Sequence, residues 1–421
     1  MWQITYMKKP ETRLTTRCEL CGSTVLEHVL DLGDHPMCDD LVPTGDQRVA
    51  QKYPISIMFC DTCKTAHQAH QIPKSVLFPP SYHYRARHTA DVLSGMKQLV
   101  ARVEEAAGSL SGETVLDVGC NDGSLLTLFR EKGAKTLGIE PTDAAADAIE
   151  SGHTVRQDYF TTATAEEIVA LAGQPRIVTF TNVFAHIENL KELLNALRVL
   201  MGPHTIVVIE NHYLGSVLDR YQFDTFYHEH PRTYSLTSFS YVAEALGVEV
   251  LSVEFPKRYG GNIRVMLGHD RAASARTADD QTDPDEADFC ERLYDLGRRV
   301  PTWRSRKRDL IDEMVDEHGP LIGKAFPGRA AILVELLDLD EGVLQRVHEK
   351  PGSMKIGHNI PGTMIPIVSD DCMDWENHGD APIINLAWHI SHEIRGYLGK
   401  RGLTAPIVDI FNADEFDRLS P

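Results

Sequence analysis

The chain has 421 residues, of which 42 are basic and 61 acidic, for a formal charge of −19. That length carries two or three domains with a sizeable buried core, and so acidic a surface repels polyphosphate and excludes nucleic acid as an expected partner. No apolar run reaches the roughly 18 residues of a membrane span. Residues 1–17 are mixed and charged, unlike a secretory leader. A cytoplasmic, reducing compartment is therefore expected, with the eight cysteines serving as metal ligands or free thiols rather than disulfides.

Cys18-x2-Cys21 and, after 38 intervening residues, Cys60-x2-Cys63 form two knuckles that each present a pair of thiolates. Together they complete the closed tetrahedral set of a structural zinc ion, with no position left open for catalysis. Cys38, His67 and His70 are nearby alternative ligands. From Leu77 the text LFPPSYHYRARHT suggests a linker crossing a cleft. There Tyr82 and Tyr84 offer phenols to a substrate, and Arg85 and Arg87 are placed to meet a phosphate.

A helix is expected up to about residue 110, with Val92, Leu93, Met96, Leu99, Val100 and Val103 on one side. Residues 115–126, VLDVGCNDGSLL, then read as a buried strand, a tight turn and a helix. Such a turn aims backbone N–H groups at a ligand at the carboxyl end of a parallel sheet. Gly119, Asn121, Asp122 and Gly123 make the turn, Asp117 ends the strand, and Glu140 ends the next apolar run. No G-x-G-x-x-G is present. A carboxylate at the second strand end suits the hydroxyls of a ribose, and the arrangement resembles the nucleoside-binding half of S-adenosylmethionine (SAM) methyltransferases. A helix over 142–151, a short strand ending near Asp158, RIVTFTN ending at Asn182, an amphipathic helix and TIVVIEN continue the alternation. A parallel sheet covered on both faces is expected, with ligand residues at the strand ends Asp117, Glu140, Asp158, Asn182 and Glu210.

Two further stretches carry proton chemistry. In TNVFAHIENL, His186 follows Asn182 into a loop, and FDTFYHEHPRTYS gathers Tyr227, His228, Glu229 and His230. Histidine moves protons near neutral pH, a carboxylate beside it orients the ring, and a tyrosine polarises a carbonyl. The H-E-x-x-H metal spacing is absent. KRYGGNIRVML is a turn into a strand, read as a phosphate-approach loop through Asn262 and Arg264. Residues 270–289 read as a polar linker or helix start, followed by a charged helix to about 319. The last third alternates strands and helices again, as a second, smaller α/β domain, with Asn385, Trp388 and Glu393 placed on its final long helix.

The cysteine quartet, the GCNDG turn, N-V-x-A-H, Y-H-E-H, GGNIRV and K-x-G-x-x-x-P-G occur in this order over nearly the whole chain. Together they resemble the sugar C-methyltransferases that act on nucleotide-linked 4-keto-6-deoxyhexoses. The resemblance implies an α/β protein of three domains. These are a zinc-binding domain at 1–76, a Rossmann-like SAM methyltransferase domain at 77–270, and a smaller Rossmann-like substrate-binding domain at 271–421. It implies zinc and SAM as cofactors, a nucleotide-linked keto-sugar as substrate and a place in deoxysugar biosynthesis. By position, His230 resembles the family's general base, Tyr227 and Glu229 its neighbours, and His186 the histidine after the fourth strand. Tyr82 or Tyr84 resembles an active-site tyrosine, and Lys355, Gly357, Pro361 and Gly362 match the C-terminal signature. Arg85–Ala86–Arg87, Asn262 and Arg329 depart from the family's usual serines and lysine. An N- or O-methyltransferase with the same SAM half is the alternative enzyme, and a zinc-ribbon binding protein that only holds a nucleotide is the alternative outside enzymes.

Overall fold

The computed structural model describes residues 12–48, 50–80, 85–88, 90–269 and 284–419. Its centre is a seven-stranded sheet: β1 (Thr114–Val118), β2 (Lys135–Ile139), β3 (Thr154–Arg156), β4 (Ile177–Thr181), β5 (Ile206–His212), β6 (Glu249–Glu254) and β7 (Asn262–Gly268). The spatial order is 3-2-1-4-5-7-6. The first five strands are parallel, and β7 runs antiparallel to both neighbours. Alternate residues of each strand feed opposite cores, as the two-residue period of a strand requires. Val115, Ile177, Ile206 and Val208 join the layer under helix Ala90–Ala107. Leu116, Val118, Val178, Phe180, Val207 and Ile209 join the larger core on the other face. Strand order reverses between β1 and β4, which opens a crevice at their carboxyl ends.

The N-terminal knuckles sit on a four-stranded antiparallel sheet in the order Arg232–Thr233, Thr65–Gln68, Lys52–Cys60, Glu27–Pro36. Its edge strand thus comes from the segment just past Y-H-E-H. The 30-residue helix Phe289–His318 packs across the strand Glu27–Pro36. A Cβ on Gly297 would stand 2.6 Å from the Val29 carbonyl, so glycine sets how closely helix and strand approach.

The C-terminal sheet is wholly parallel, in the order Ile367–Ser369, Leu344–Glu349, Leu321–Lys324, Ile383–Asn385, Ile407–Asp409. One expectation needs correction here. Asn385 ends a strand rather than lying on a helix, because Ile383 and Ile384 fill a buried strand and the Asn385 amide donates to Asp409 at 2.7 Å. Trp388 lies in a 3-10 turn, and Glu393 on the helix Ser391–Gly399. The expected helix at 142–151 spans Ala144–Glu150, and the strand before Asp158 ends at Arg156. The polar stretch 270–283 lies outside the described residues. Among the described residues no helix is long and apolar enough to cross a membrane.

Candidate active site and four-cysteine centre

The turn after β1 is pinned to β2, with the N–H groups of Gly119 and Cys120 both donating to the Ile139 carbonyl. Gly119 has φ 71°, and a Cβ there would stand 2.5 Å from Val183, so the β1 and β4 loops meet with only a hydrogen between them. Asn121 and Asn182 also hold left-handed backbones, at φ 49° and 55°. Glu140 accepts from the Asn121 N–H and from both N–H and hydroxyl of Thr142, which fixes its carboxylate beside the turn. Burial pushes the Asp117 carboxyl up to about 7, against a 2.6 Å bond from the Thr179 hydroxyl that favours the anion. Asp122 accepts from Ser124 and from the Arg87 N–H. Gly123 begins the next helix at φ 76°. Asp158, by contrast, is half-exposed beside Arg156 and Tyr159.

Buried polar atoms without partners gather at this end of the sheet: Thr181 Oγ1, both amide atoms of Asn211, and Asn262 Oδ1. Burying such atoms is costly unless something bonds them. A polar ligand in the crevice would supply those bonds, and the acid-lined turn suits a ribose and a cationic nucleoside.

Beyond the β4 and β5 ends lies a histidine cluster. The ring of His230 stacks on His186 at 4.9 Å, meets Tyr227 at 4.1 Å and His212 at 5.4 Å, and Phe78 closes the far side of His186 at 5.3 Å. His230 Nδ1 donates to the Thr225 carbonyl at 2.9 Å. A carbonyl only accepts, so the proton sits on Nδ1 and Nε2 carries a lone pair. Burial lowers the His230 pKa to about 4; the Thr225 bond opposes this and Arg329 adds to it. Burial, then the neighbouring His230, holds His186 well below its ordinary value, and its Nε2 is buried without a partner. Glu229 is buried beside His230 in the same loop. Tyr82 and Tyr84 lie outside the described residues.

Three participants escape a linear reading: Asp224, His212 and His389. Fully buried Asp224 accepts from Arg329 Nε at 2.8 Å, from Arg329 Nη2 at 2.5 Å and from the Trp388 indole at 2.9 Å. The Arg329 guanidinium lies 4.9 Å from the Trp388 ring centre, and the same cation depresses His389 after burial, and His212 after burial and His230. Asp224 stands three residues before Tyr227 and His212 closes β5, so proximity to those marks was the available signal. Lys355 donates to the Phe326 carbonyl at 2.6 Å. Gly357 and Gly362 hold positive φ, and Gly362 packs on Pro36 of the N-terminal sheet.

Three expected ligand contacts go elsewhere. Glu210 is fully buried and taken by Arg258, Arg264 and Asn262 at 2.5, 2.8 and 3.0 Å, a closed ionic cluster rather than an open strand-end acid. Consequently Asn262 and Arg264 do not form a phosphate-approach loop. Arg85 pairs with Asp147 of the helix Ala144–Glu150 at 2.7 Å and Arg87 with the same carboxylate at 3.3 Å, while the Ala86 and Arg87 N–H groups donate to Asn121 and Asp122 of the glycine turn.

The sulfurs of Cys18, Cys21, Cys60 and Cys63 lie within 4.8 Å of one another, with Cys18–Cys63 at 3.4 Å and Cys21–Cys60 at 3.5 Å. A disulfide needs about 2.05 Å, whereas four thiolates around zinc at about 2.3 Å stand about 3.8 Å apart. The quartet fits zinc, and among the described residues it is the one cluster of metal-ligating side chains.

Three family models match successive stretches of the chain. Residues 18–78 match the family model described as "Putative zinc binding domain", 86–253 "Methyltransferase domain", and 257–400 "C-methyltransferase C-terminal domain". C-methyltransferase NovU of Streptomyces niveus is 28% identical over 395 residues, covering 90% of each chain. A ubiquinone biosynthesis O-methyltransferase of Escherichia coli is 33% identical over 106 residues, 24% of this chain and 43% of that one. Among solved structures, magnesium protoporphyrin IX methyltransferase from Synechocystis, with bound SAH, is 16% identical, covers 42% of this chain and 83% of that one, and has a TM-score of 0.33. In order along the chain, then, lie stretches similar to a zinc-binding domain, a methyltransferase domain and a C-methyltransferase C-terminal domain, and the chain is similar over 90% of its length to a C-methyltransferase.

Proposed function

We propose that the protein is a SAM-dependent C-methyltransferase that removes the C3 proton of a nucleotide-linked 4-keto-6-deoxyhexose and methylates that carbon, in deoxysugar biosynthesis. The observation that carries this reading is the tautomer of His230. Its Nδ1–H is spent on Thr225, so Nε2 stands as a lone pair, on a ring that burial keeps neutral at pH 7. Carbon becomes a nucleophile only when an adjacent carbonyl acidifies its hydrogen and a base takes it. An N- or O-methyltransferase acts on an existing lone pair and has less use for such a ring.

SAM, when bound, supplies a methyl group on a sulfonium. Residues Asp117, Gly119, Asn121, Asp122, Gly123, Glu140, Asp158 and Asn182 would hold it. His230 Nε2 receives the C3 proton, and Glu229 orients that loop. Tyr227 and His186 would bind the developing enolate oxygen, where N–H and O–H donors lower the barrier. Burial, with His230 beside it, keeps His186 neutral, so it acts as a donor rather than as a competing cation. The C-terminal sheet, through Arg329 and the Lys355–Gly362 signature, contributes to holding the sugar nucleotide. Cysteines 18, 21, 60 and 63 would hold zinc as a structural staple.

Incubation with isotopically labelled SAM and a panel of nucleotide-linked 4-keto-6-deoxyhexoses tests the reading. A product heavier by one methyl group, with the labelled methyl shown by 13C NMR to be bonded to C3, supports it. Methyl transfer confined to hydroxyl or amine acceptors contradicts it.

A further inference from the structure

Arg232 lies two residues past His230, and its side chain is fully buried. A buried guanidinium must be matched on all its edges. This one donates to the Tyr234 hydroxyl at 2.9 Å, to the Glu188 carbonyl at 3.2 Å, to the Ile187 carbonyl and to the Glu19 carboxylate. Those partners are informative. Ile187 and Glu188 directly follow His186, and Glu19 lies inside the first knuckle, between Cys18 and Cys21. Glu19 is itself held by Arg13 and by Gln71, the latter at 3.1 Å.

The backbone repeats the same connection. Arg232 and Thr233 pair with His67 and Ala66 as the edge strand of the knuckle sheet. The Gln68 N–H donates to the Pro231 carbonyl at 2.9 Å, and its side chain to the carbonyls of Phe226 and Tyr227 at 3.2 and 3.3 Å. His228 Nε2 donates to the Tyr53 carbonyl at 3.0 Å. Both histidine loops therefore leave the methyltransferase sheet and are fastened to the N-terminal domain. A lysine has the charge but not the planar fork that serves two carbonyls, a hydroxyl and a carboxylate at once.

We propose that Arg232 is a positioning residue: through Glu19 it transmits the geometry of the four-cysteine knuckle to the imidazoles of His186 and His230. The catalytic consequence rests on reading His230 as the base, whereas the positioning stands without it. The test uses the full-length protein with 15N-labelled histidine, as wild type, Glu19→Gln and Arg232→Lys. Long-range 1H–15N spectra report each ring, and His153, held by Thr127 and Thr136 in the methyltransferase domain, is the internal control.

Both variants should shift or broaden the His186 and His230 signals, leave His153 unchanged and leave SAM affinity by calorimetry within about twofold. A chelator titration of the wild-type protein should give the same pattern without any substitution. With dTDP-4-keto-6-deoxyglucose in D2O, C3 exchange at saturation should fall about 100-fold, the scale of an ångström-sized misplacement, with KM little changed. Unmoved His186 and His230 signals overturn the proposal, as does a general loss in which His153 and SAM affinity change equally. If the wild-type protein shows no exchange, the functional reading fails while the spectra still decide the positioning.

Discussion

Replacing Asp224 with asparagine tests the contact between the C-terminal sheet and the histidine loop. Asp224 is fully buried and answers the fork of Arg329 with both oxygens while also accepting the Trp388 indole N–H. Asparagine keeps the shape and one acceptor but removes the charge, and strands the guanidinium in a buried site. Breaking a buried pair from one side costs about 3–5 kcal/mol. Removing Arg329 as well, as Asp224→Asn with Arg329→Met, takes away the unmatched cation. The pair should therefore couple, with the double variant at least about 2 kcal/mol more stable than the sum of the two losses. Urea unfolding followed by tryptophan fluorescence reads the three variants. The uncompensated Arg329 would also depress His230 further and move the acid limb of activity to lower pH. A loss below about 1 kcal/mol for Asp224→Asn, or simple additivity in the double variant, would refute the reasoning.

Stability should fall in acid for a related reason. Burial holds His228, His230 and His389 at about 4 against an ordinary 6.5, so between those values the unfolded chain binds more protons. The contribution is complete above pH 6.5 and is lost as pH drops toward 4, by up to about 3 kcal/mol per ring; a urea midpoint that stays flat from pH 8 to 4.5 would contradict this. Metal analysis should find one zinc per chain, absent in Cys60→Ser, and a stoichiometry of zero in carefully prepared wild-type protein would remove the assignment. Gly119→Ala should abolish SAM binding by calorimetry, since its Cβ would meet Val183 at 2.5 Å at φ 71°. Val183→Ala relieves only the overlap, so full rescue would show that backbone strain is unimportant. Glu210→Gln removes one charged partner from Arg258 and from Arg264, which keeps Glu254, and should cost about 1.5–3 kcal/mol with SAM affinity nearly kept; the reverse pattern would make Glu210 a ligand.

Local chemistry was legible in the sequence, and long-range pairing was not. The run VLDVGCNDGSLL announced its own strand, turn and helix, because apolar period and glycine placement act within a dozen residues. Two cysteine pairs announced a metal site for the same reason. Glu210 illustrates the limit: a strand-end acid looks like a ligand until the next strands bring Arg258 and Arg264 against it. Arg232 reaches Glu19 across 213 residues, and Arg329 reaches Asp224 across 105, distances over which no spacing rule operates. Asn385 was misplaced because three strand residues leave too short a pattern to separate from a helix start. The two arginines of RAR were read as reaching a phosphate, yet Asp147 on a helix beyond the glycine turn claims both.

The central claim is that His230 Nε2 takes a proton from carbon. Hydrogen exchange at C3 of a nucleotide-linked 4-keto-6-deoxyhexose, followed by NMR in D2O with wild-type protein and His230→Asn, tests it most directly. Asparagine can still donate to the Thr225 carbonyl but offers no basic nitrogen. The account predicts exchange in the wild type and a fall of about 100- to 10,000-fold in the variant, with SAM affinity retained. Exchange that persists at the wild-type rate in His230→Asn would place the base elsewhere.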